Sequence, residues 1–406
     1  MKILLVHQNF PGQFLHLAPA LAARGHEVLG LTDDKNKKPA PVQVARYATP
    51  PKVEISPRLG KFNADMLERA YLVARGARAL RDRHGYVPDL IFGHPGWGET
   101  LMLREIWPEA KLLLYAELYY RSRGHDVGFD PEFDTDPDGA RFSSVARMGP
   151  MAVAMLQADA ALSPTRYQAE SYPAELQDKI TVIHDGIDTD RLRPDPAARV
   201  TLPDGTQIAA GDEVLTYIGR GLEPYRGFHV FMRALPEVLR ARPNARVVIV
   251  GRNITSYGFP PRDAPDWKTK LLAELDGQLD LSRIHFTGPL SYADYTRVIQ
   301  AGRVHCYLTY PFVLSWSLTE AMAMGANIVA SDTEPVREFI TDGVEGCLVP
   351  FFDRAALEAA LIRGLEGDPD APSRGQAARA RIAGGYDLHR HSLPRLIDWV
   401  ESHGPA

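Results

Sequence analysis

Short apolar runs alternate with longer amphipathic stretches along almost the whole chain. In the first half, each apolar run has the length and composition of a buried strand. Between these runs, apolar residues recur every three or four positions, which is typical of a helix with one buried face. The predicted strands are 2–6, 26–32, 89–92, 111–115, 160–162 and 180–183. A strand, a helix and a second strand in succession indicate parallel pairing, because the helix returns the chain to the same end of the sheet.

The same alternation restarts in the second half of the chain. Residues 188–211 are rich in proline, aspartate and alanine and have no sustained period, which predicts a linker. The strands predicted beyond it are 214–218, 245–250, 284–286, 304–308, 327–330 and 346–349. The pattern predicts an α/β fold with two tandem Rossmann-like domains, each a doubly wound parallel sheet. Because ligands bind at the carboxyl ends of such strands, we expect the domains to face each other across a cleft.

The predicted domain boundaries follow from this break. We expect a first domain at 1–187, the linker at 188–211 and a second domain at 212–380. The segment 381–406 follows the point at which the second sheet should be complete. Its helix is therefore free to pack back on the first domain.

Composition argues against several classes of protein. Of the 406 residues, 45% are hydrophobic and 24% are charged, which is ordinary for a globular protein. The net charge of −5 argues against nucleic-acid binding, which usually requires a basic domain. The apolar run in MKILLVHQ is too short for a signal peptide, and no run is long enough to span a bilayer. We therefore expect a cytoplasmic protein in which Cys306 and Cys347 are reduced thiols.

The stretch 214–241 has the pattern of a strand, a glycine-rich loop and an amphipathic helix. A helix that begins after such a loop directs backbone N–H groups and the positive end of its dipole toward the loop. Gly219 and Gly227 allow an anion to approach the backbone, while Arg220 and Arg226 add donors that can grip phosphate oxygens. The pattern predicts a diphosphate site. The alternative is an ordinary strand-to-helix turn with surface arginines, because short glycine patterns also occur without a ligand.

Five short motifs then follow one another in a characteristic order. They are HQNFPGQF (7–14), RGHEV (24–28), VIHDGID (182–188), YIGR with a following RG (217–220 and 226–227) and SLTEAMAMG (317–325). In this order and spacing they resemble the motifs of glycosyltransferase family 4, whose members have two Rossmann-like domains in the GT-B fold. The resemblance covers nearly the whole chain. It implies a retaining, metal-independent glycosyltransferase that needs no cofactor beyond a nucleoside-diphosphate sugar as donor.

The resemblance also implies roles for individual residues. Arg220 and Arg226 match the two cations that stabilise the diphosphate during catalysis, although the second is more often lysine in the family. Glu320 matches the glutamate that binds the ribose hydroxyls, with a solvent-facing helical glutamate as the alternative. The complete donor-binding set implied by the resemblance is Gly219, Arg220, Arg226, Gly251, Gly288, Ser315, Trp316, Ser317, Leu318, Thr319 and Glu320.

Two departures from the family pattern bear on the donor sugar. Phe312 stands eight residues before Glu320, where the family frequently has a second glutamate that touches the sugar. Either its ring lines the donor pocket, which would favour a less polar sugar face, or it turns into the core. His184 and Asp185 replace the usual proline and asparagine of the hinge motif. Neither change removes a predicted phosphate ligand.

On the acceptor side, the candidates are Pro11, Gly12 and Gln13 in the first motif, together with His94 and Glu117. His94 and Glu117 each follow a predicted strand, so they should lie at the carboxyl edge of the first sheet. His94 is kept as a catalytic candidate because the family often has a histidine in this loop. A hydrogen-bonded structural histidine is its alternative.

One helix of the first half is rich in arginine. Its arginines are Arg69, Arg75, Arg78, Arg81 and Arg83. A solvated face that also carries Asp65, Glu68 and Asp82 is the favoured interpretation. Relatives that act on lipid-linked acceptors bind membranes through basic helices of the first domain, so peripheral membrane contact stays open.

The sequence therefore predicts transfer of a hexosyl group from a nucleotide sugar to an acceptor bound mainly by residues 1–187. The acceptor is a glycan, a lipid-linked glycan, a protein or a small molecule. The alternatives are a two-Rossmann nucleotide-sugar epimerase, a glycan phosphorylase and a non-catalytic two-lobed binding protein. A phosphorylase is disfavoured because Lys268 and Lys270 lie in a polar stretch that does not suit a buried pyridoxal phosphate site.

Overall fold

The computed structural model describes residues 1–51, 58–134 and 136–405. The chain divides into two compact units, of which the first comprises Met1–Gly186 and Leu388–Ala406 and the second comprises Ile187–Asp387. Each unit is built on its own parallel sheet. The predicted α/β fold with two doubly wound sheets is therefore confirmed.

The sheet of the first unit has seven parallel strands within the described residues. They are β1 (Lys2–Val6), β2 (Glu27–Asp33), β3 (Val44–Tyr47), β4 (Leu90–Gly93), β5 (Lys111–Tyr115), β6 (Ala160–Ser163) and β7 (Ile180–Val182). Their spatial order is β3-β2-β1-β4-β5-β6-β7. The order reverses between β1 and β4, and in such sheets the ligand crevice lies at the carboxyl ends of the strands beside this reversal.

Alternate side chains of β1 enter two separate cores. The helices of this part of the chain are α1 (Leu17–Ala23), α2 (Arg58–His84), α3 (Leu103–Ile106), α4 (Pro137–Gln157), α5 (Arg166–Glu170) and α6 (Ala174–Gln177). Leu4 and Val6 face one side of the sheet, where α2 and α4 cover them, while Ile3 and Leu5 face the side covered by α1. Burial on both faces explains why the strands read as continuous apolar runs.

The second unit begins with a short antiparallel hairpin formed by β8 (Arg199–Thr201) and β9 (Gln207–Ala209). This differs from the linker predicted at 188–211. Val200 and Ile208 are buried and pack with residues of the neighbouring parallel sheet, so the segment adds to the core of the second unit. Asp204 and Gly205 form the turn, and this dipeptide is a hairpin signal that was present in the sequence.

The main sheet of the second unit has six parallel strands among the described residues. They are β10 (Val214–Gly221), β11 (Arg246–Arg252), β12 (Ile284–Gly288), β13 (Val304–Tyr307), β14 (Ile328–Ser331) and β15 (Cys347–Val349). Their order is β12-β11-β10-β13-β14-β15, with the reversal between β10 and β13. The helices are α7 (Phe228–Ala241), α8 (Trp267–Glu274), α9 (Tyr292–Ala301), α10 (Trp316–Ala323), α11 (Glu334–Arg337), α12 (Arg354–Gly367) and α13 (Ala371–Gly385).

The chain re-enters the first unit at Leu388 and ends in α14 (Leu393–Ser402). Trp399 of this helix is buried against the first sheet, and its indole N–H donates to Thr181 Oγ1 at 3.1 Å. Arg24 holds the end of the helix through two hydrogen bonds to the Glu401 carboxylate, at 2.7 and 2.8 Å. No described helix combines the length and the apolar character required to cross a bilayer.

Candidate functional site

In the second unit, the loop after β10 lies tightly against its neighbours. Gly227 has φ +66°, and a Cβ placed on it would lie 2.3 Å from the Cβ of Leu308. A Cβ on Gly251 would lie 2.4 Å from the carbonyl oxygen of Gly219. A side chain at either position would therefore push apart the backbones that meet at the carboxyl ends of β10, β11 and β13.

Arg226 is a buried cation in this loop. Its Nη1 donates to Thr309 Oγ1 at 2.8 Å and to the carbonyl oxygen of Val313 at 2.9 Å, and its guanidinium lies 5.2 Å from the centre of the Tyr257 ring. Burial opposes its charge, but the neighbouring Tyr307 and Tyr257 phenols outweigh this and raise the pKa of Arg226. The structure thus holds a permanent positive charge beside the strand reversal.

Arg220 is placed differently. It lies at the end of β10 and is exposed, and its side chain makes no hydrogen bond or ion pair with any residue in the described ranges. Its charge is therefore available to a ligand. The two predicted cations flank the same loop, one held rigidly and one extended into solvent.

Glu223 is a site residue that the sequence analysis missed. Its side chain is fully buried and accepts hydrogen bonds from the backbone N–H groups of Ser256, Tyr257 and Gly258, at 2.9, 3.0 and 3.0 Å. The carboxylate therefore fastens the loop after β11 to the loop after β10 and supports Tyr257 over Arg226. No local pattern distinguishes Glu223, because its partners lie more than thirty residues away in the sequence.

The predicted donor residues around 315–320 lie at the start of α10. Ser315 caps this helix, and its Oγ accepts from the N–H of Ser317 at 3.3 Å. Trp316 is 46% exposed, whereas Leu318 is in the core and Thr319 is buried. Because its side chain is buried in the core, Leu318 can contact a ligand only through its backbone. Because α10 follows β13, its amino end lies at the same sheet edge as the glycine loop.

The Glu320 carboxylate is already hydrogen-bonded within the protein. Its carboxylate accepts the Tyr292 hydroxyl at 2.7 Å on Oε1 and the Tyr295 hydroxyl on Oε2. Burial raises the pKa of Glu320, and these two hydrogen bonds oppose the shift. The carboxylate of Glu320 is thus oriented before any ligand arrives.

The last predicted donor residue, Gly288, ends β12 with φ +67° and faces open space.

Phe312 does not present a free ring to a ligand. It is 6% exposed, and its ring packs edge-on against Tyr225 and Tyr257, with centroid distances of 5.3 and 5.0 Å. This arrangement matches the alternative in which Phe312 turns into the protein. The Phe312 ring therefore supports Tyr257 and does not offer an apolar wall to a sugar.

In the first unit, three predicted residues meet at the carboxyl ends of β1, β4 and β5. His94 Nε2 lies 3.3 Å from Glu117 Oε2, and Gln13 Nε2 donates to Glu117 Oε1 at 3.4 Å. The N–H of Gly96 donates to His94 Nδ1 at 3.0 Å, which assigns the ring proton to Nε2 and makes His94 the donor to Glu117. Pro11 and Gly12 belong to the turn that brings Gln13 to this carboxylate.

Glu117 is a carboxylate held in its charged form. Burial tends to raise its pKa, but the hydrogen bond from His94 and the bond from Gln13 oppose this, and the pKa falls below its ordinary value. One third of the side chain remains exposed. The His94–Glu117 pair can therefore orient a hydroxyl group and accept its proton.

His7 was overlooked among the acceptor candidates, although it follows a predicted strand as His94 does. Its Nδ1 accepts from the N–H of Asn9 at 2.9 Å, and a Cβ on Gly12 would lie 2.6 Å from its Nε2. Burial, with the neighbouring His94 as the second cause, lowers the pKa of His7 to about 3. The ring is thus neutral and forms a wall of the site 5.9 Å from the His94 ring.

A second buried network adjoins this cluster. Glu99 is fully buried, and its Oε1 accepts the Tyr47 hydroxyl at 2.5 Å. Arg69 Nη1 reaches the Tyr47 hydroxyl at 3.4 Å and forms an ion pair with Asp33 at 3.1 Å. Burial raises the pKa of Glu99 to about 7. Arg69, assigned from sequence to a solvated face, thus takes part in an internal network.

Two family models match the chain and between them cover most of it. The first, described as the glycosyl transferase family 4 group, matches residues 24–192, and the second, glycosyl transferases group 1, matches residues 212–367. The first model contains His94 and Glu117, and the second contains all the donor candidates from Gly219 to Glu320. The acceptor candidates at 11–13 lie before the first matched residue.

Curated relatives match part of the chain. Phosphatidyl-myo-inositol mannosyltransferase of Mycolicibacterium smegmatis is 31% identical over 217 residues, covering 49% of this chain and 48% of the relative. D-inositol 3-phosphate glycosyltransferase of Streptomyces scabiei is 28% identical over 214 residues, covering 52% of this chain and 46% of the relative. The chain spans about half the length of these curated relatives that it matches.

Solved structures resemble the chain over its full length. Sucrose-phosphate synthase from Thermosynechococcus elongatus has a TM-score of 0.74 at 18% identity and covers 99% of both chains. Anabaena HepE in complex with UDP-glucose has a TM-score of 0.66 at 17% identity and covers 99% of this chain and 100% of its own. At this identity the likeness concerns the fold.

The buried Glu99 predicts a pH-dependent stability. Its pKa rises from 4.5 to about 7 on folding, so the folded state binds the proton more tightly than the unfolded state. The free energy of unfolding should then lose on the order of 3 kcal/mol as pH rises from about 5 to about 8. Glu99→Gln removes this ionisation and keeps an oxygen for Tyr47. Its stability relative to the wild type, measured by urea unfolding, should therefore increase across that pH range.

The matched control is Glu109→Gln, which changes an exposed carboxylate of the same unit. Its difference from the wild type should stay constant over the same pH range. A Glu99→Gln difference that is equally constant would contradict the raised pKa.

Proposed function

Because the chain belongs to the family 4 glycosyltransferases, we propose that it transfers a glycosyl group from a nucleoside-diphosphate sugar to an acceptor hydroxyl. The donor binds to the second unit and the acceptor to the first. The observation that carries this proposal is the glycine loop after β10, where the buried Arg226 and the exposed Arg220 provide two positive charges next to closely packed backbone. A diphosphate is the ligand that this combination suits best.

The names of relatives support the same donor class. Anabaena HepE is described in complex with UDP-glucose, and a second structural neighbour, described as trehalose-6-phosphate from E. coli, is bound with UDP-2-fluoro glucose. Curated relatives are named as a mannosyltransferase and a glycosyltransferase. These names suggest a nucleoside diphosphate bearing a hexose as the donor of this chain.

The proposed reaction breaks the bond between the anomeric carbon and the diphosphate and forms a bond from that carbon to the acceptor oxygen. Arg220 and Arg226 stabilise the negative charge that develops on the departing diphosphate, so no metal ion is required. The first turn of α7, which has no side-chain cap, directs backbone N–H groups to the same place. Following the family, we propose that the anomeric configuration is retained.

His94 and Glu117 act on the acceptor in this proposal. The Glu117 carboxylate and the His94 ring are held together, so a hydroxyl bound between them is oriented by two polar groups. The proton released from the acceptor passes to this pair. The neutral His7 limits the space available beside it.

Nucleoside diphosphates should stabilise the protein in the presence of EDTA. A panel of UDP, GDP, ADP and dTDP should raise the melting temperature for at least one base, because a ligand that binds the native state opposes unfolding. With that nucleotide, Arg220→Ala and Arg226→Ala should each weaken diphosphate binding by roughly 1.5–3 kcal/mol and weaken binding of the corresponding monophosphate much less. Titration calorimetry gives both affinities.

Arg297→Ala is the control, since Arg297 is an exposed arginine of the same unit on α9. Arg226→Lys keeps a positive charge if the alanine variant fails to fold. The assignment is wrong if diphosphate and monophosphate lose affinity equally, and the donor class is wrong if no member of the panel binds.

Glu320 is proposed to accept hydrogen bonds from the ribose of the donor. Glu320→Ala should therefore weaken binding of the ribonucleoside diphosphate by about 1 kcal/mol or more and weaken its 2′-deoxy analogue less. The measurement is titration calorimetry with both ligands, with Glu366→Ala at an exposed site on α12 as control. Unchanged affinity for the ribonucleotide would exclude this role.

We also propose peripheral membrane contact through the outer faces of α2 and α4. Both helices bury their inner faces against the same side of the first sheet, so their outer faces point the same way. The only charged residue of α4 between Phe142 and Leu156 is Arg147, and it lies over the Phe62 and Tyr120 rings. The outer face of α4 is therefore largely apolar, with Val145, Val153 and Leu156 exposed. An acceptor at the cytoplasmic face of a membrane would suit this surface. The free cysteines Cys306 and Cys347 are consistent with a protein in that reducing compartment.

Vesicle co-sedimentation tests the membrane contact. Val145 and Leu156 are 57% and 67% exposed on α4, so Val145→Glu with Leu156→Glu should reduce binding to anionic vesicles roughly fivefold or more. The control pair is Leu281→Glu with Val344→Glu, at exposed apolar positions of the second unit. Equal binding by both double variants would remove α4 from the contact.

A further inference from the structure

A cavity of about 510 Å³ lies in the first unit beside the acceptor residues. Its walls include Gln8 and Asn9, which follow β1, and the lysine-rich turn after β2 with Lys35, Lys37 and Lys38. Neither the sequence motifs nor the proposed mechanism uses this turn. The cavity is large enough for a sugar or polyol bearing one charged group.

The cavity carries an excess of positive charge. None of the three lysines forms an ion pair with a carboxylate in the described part of the chain, although Lys37 Nζ donates to the carbonyl oxygen of Asp34 at 2.9 Å. The carboxylate of Asp33, which also lines the cavity, is already paired with Arg69 at 3.1 Å. The Asp34 carboxylate accepts the Thr49 hydroxyl and interacts electrostatically with Lys35, so it offsets one of the three positive charges. The remaining excess of positive charge favours an anionic ligand.

The turn is held in place before any ligand binds. Asn36 Nδ2 donates to the carbonyl oxygen of Phe10 at 2.7 Å and to Thr32 Oγ1 at 2.9 Å. Arg46 Nη1 donates to the carbonyl oxygen of Asn36 at 2.5 Å. These bonds fix the backbone that carries the lysines, which lowers the cost of ordering the site on binding.

The cavity also adjoins the acceptor cluster. Asn9, one of its wall residues, donates its N–H to His7 Nδ1 at 2.9 Å. Lys38 lies close enough to His7 to contribute, after burial and His94, to the lowered pKa of that ring. A ligand in the cavity would therefore place its remaining atoms beside His7 and the His94–Glu117 pair.

We propose that this cavity is a phosphate-binding subsite and that the acceptor is a phosphate ester of a polyol or sugar. A phosphate group brings nearly two negative charges and three acceptor oxygens, which match several lysine ammonium groups better than a single carboxylate does. Gln8 and Asn9 also line the cavity, and their side-chain amides can form hydrogen bonds with hydroxyl groups. The inference rests on the proposed function, because it assigns the ligand as the acceptor. The ester is either a free polyol phosphate or the head group of a lipid.

Titration calorimetry in the presence of a saturating nucleoside diphosphate tests the subsite, since the nucleotide blocks phosphate binding in the second unit. The ligands are inorganic phosphate, myo-inositol phosphate and vesicles that contain phosphatidylinositol. Lys35→Gln with Lys38→Gln should raise the dissociation constant of the phosphate ester roughly tenfold or more. The matched control is Lys2→Gln with Lys111→Gln, which removes the same charge at the amino ends of β1 and β5. This control should change the dissociation constant by less than about twofold.

The two ester ligands distinguish a free phosphate ester from a lipid head group. Tight binding of myo-inositol phosphate indicates a free ester, while binding of the vesicles alone indicates a lipid head group. The subsite is overturned if neither ester binds the wild type, or if the cavity and control variants bind equally. It is also overturned if Arg226→Ala abolishes binding of the phosphate ester while the lysine double variant leaves it unchanged. Lysine-dependent ester binding by a protein that binds no nucleoside diphosphate would instead contradict the proposed function and leave the subsite standing.

Discussion

All strands of each main sheet run parallel, so their carboxyl ends share one edge. This constraint places every candidate residue of the molecule. In the first unit it brings His7, His94 and Glu117 together from β1, β4 and β5, although more than twenty residues separate each from the next along the chain. In the second unit it places the glycine loop after β10 beside the start of α10. The crossover helices cover the faces of the sheets and leave this edge to the loops.

The loops at this edge hold charge by surrounding it with fixed partners. Arg226 donates hydrogen bonds to Thr309 and to the carbonyl oxygen of Val313. Glu223 accepts hydrogen bonds from three backbone N–H groups. A buried charge that loses such partners is strongly destabilising, typically by about 3–5 kcal/mol. The fixed partners also keep the charges from rearranging when a ligand binds. This is the arrangement that electrostatic stabilisation of a developing charge requires.

The acceptor side combines charged and neutral groups within a short distance. Glu117 is kept negative by His94 and Gln13, whereas burial leaves His7 neutral and draws the pKa of Glu99 upward to about 7. The difference comes from surroundings, since Glu117 has two side-chain donors and partial exposure while Glu99 is enclosed. Two glutamates of one unit therefore have opposite tendencies. Such separation of pKa values is typical of sites that move protons.

Sequence periodicity predicted most of the architecture, because strands and amphipathic helices are specified by residues close together in the chain. It also located Arg226, His94 and Glu117, each of which follows a predicted strand. It missed the edge strand β3, which lies in a proline-rich stretch. It failed at the β8–β9 hairpin, where a composition rich in proline and aspartate concealed the buried Val200 and Ile208. It missed Glu223 and Glu99 for a different reason. Neither belongs to a local pattern, and their roles depend on partners brought near by the fold.

The sequence by itself determined two parallel sheets, the loops that end their strands and the presence of two arginines in one glycine loop. Only the tertiary structure decided which of those arginines is buried, that Tyr292 and Tyr295 hold Glu320, and that Phe312 packs against Tyr257. The physical reason is range. Secondary structure follows from short-range periodicity, whereas burial, protonation and hydrogen-bond partners depend on the register of the strands and on side-chain packing between residues far apart in the chain.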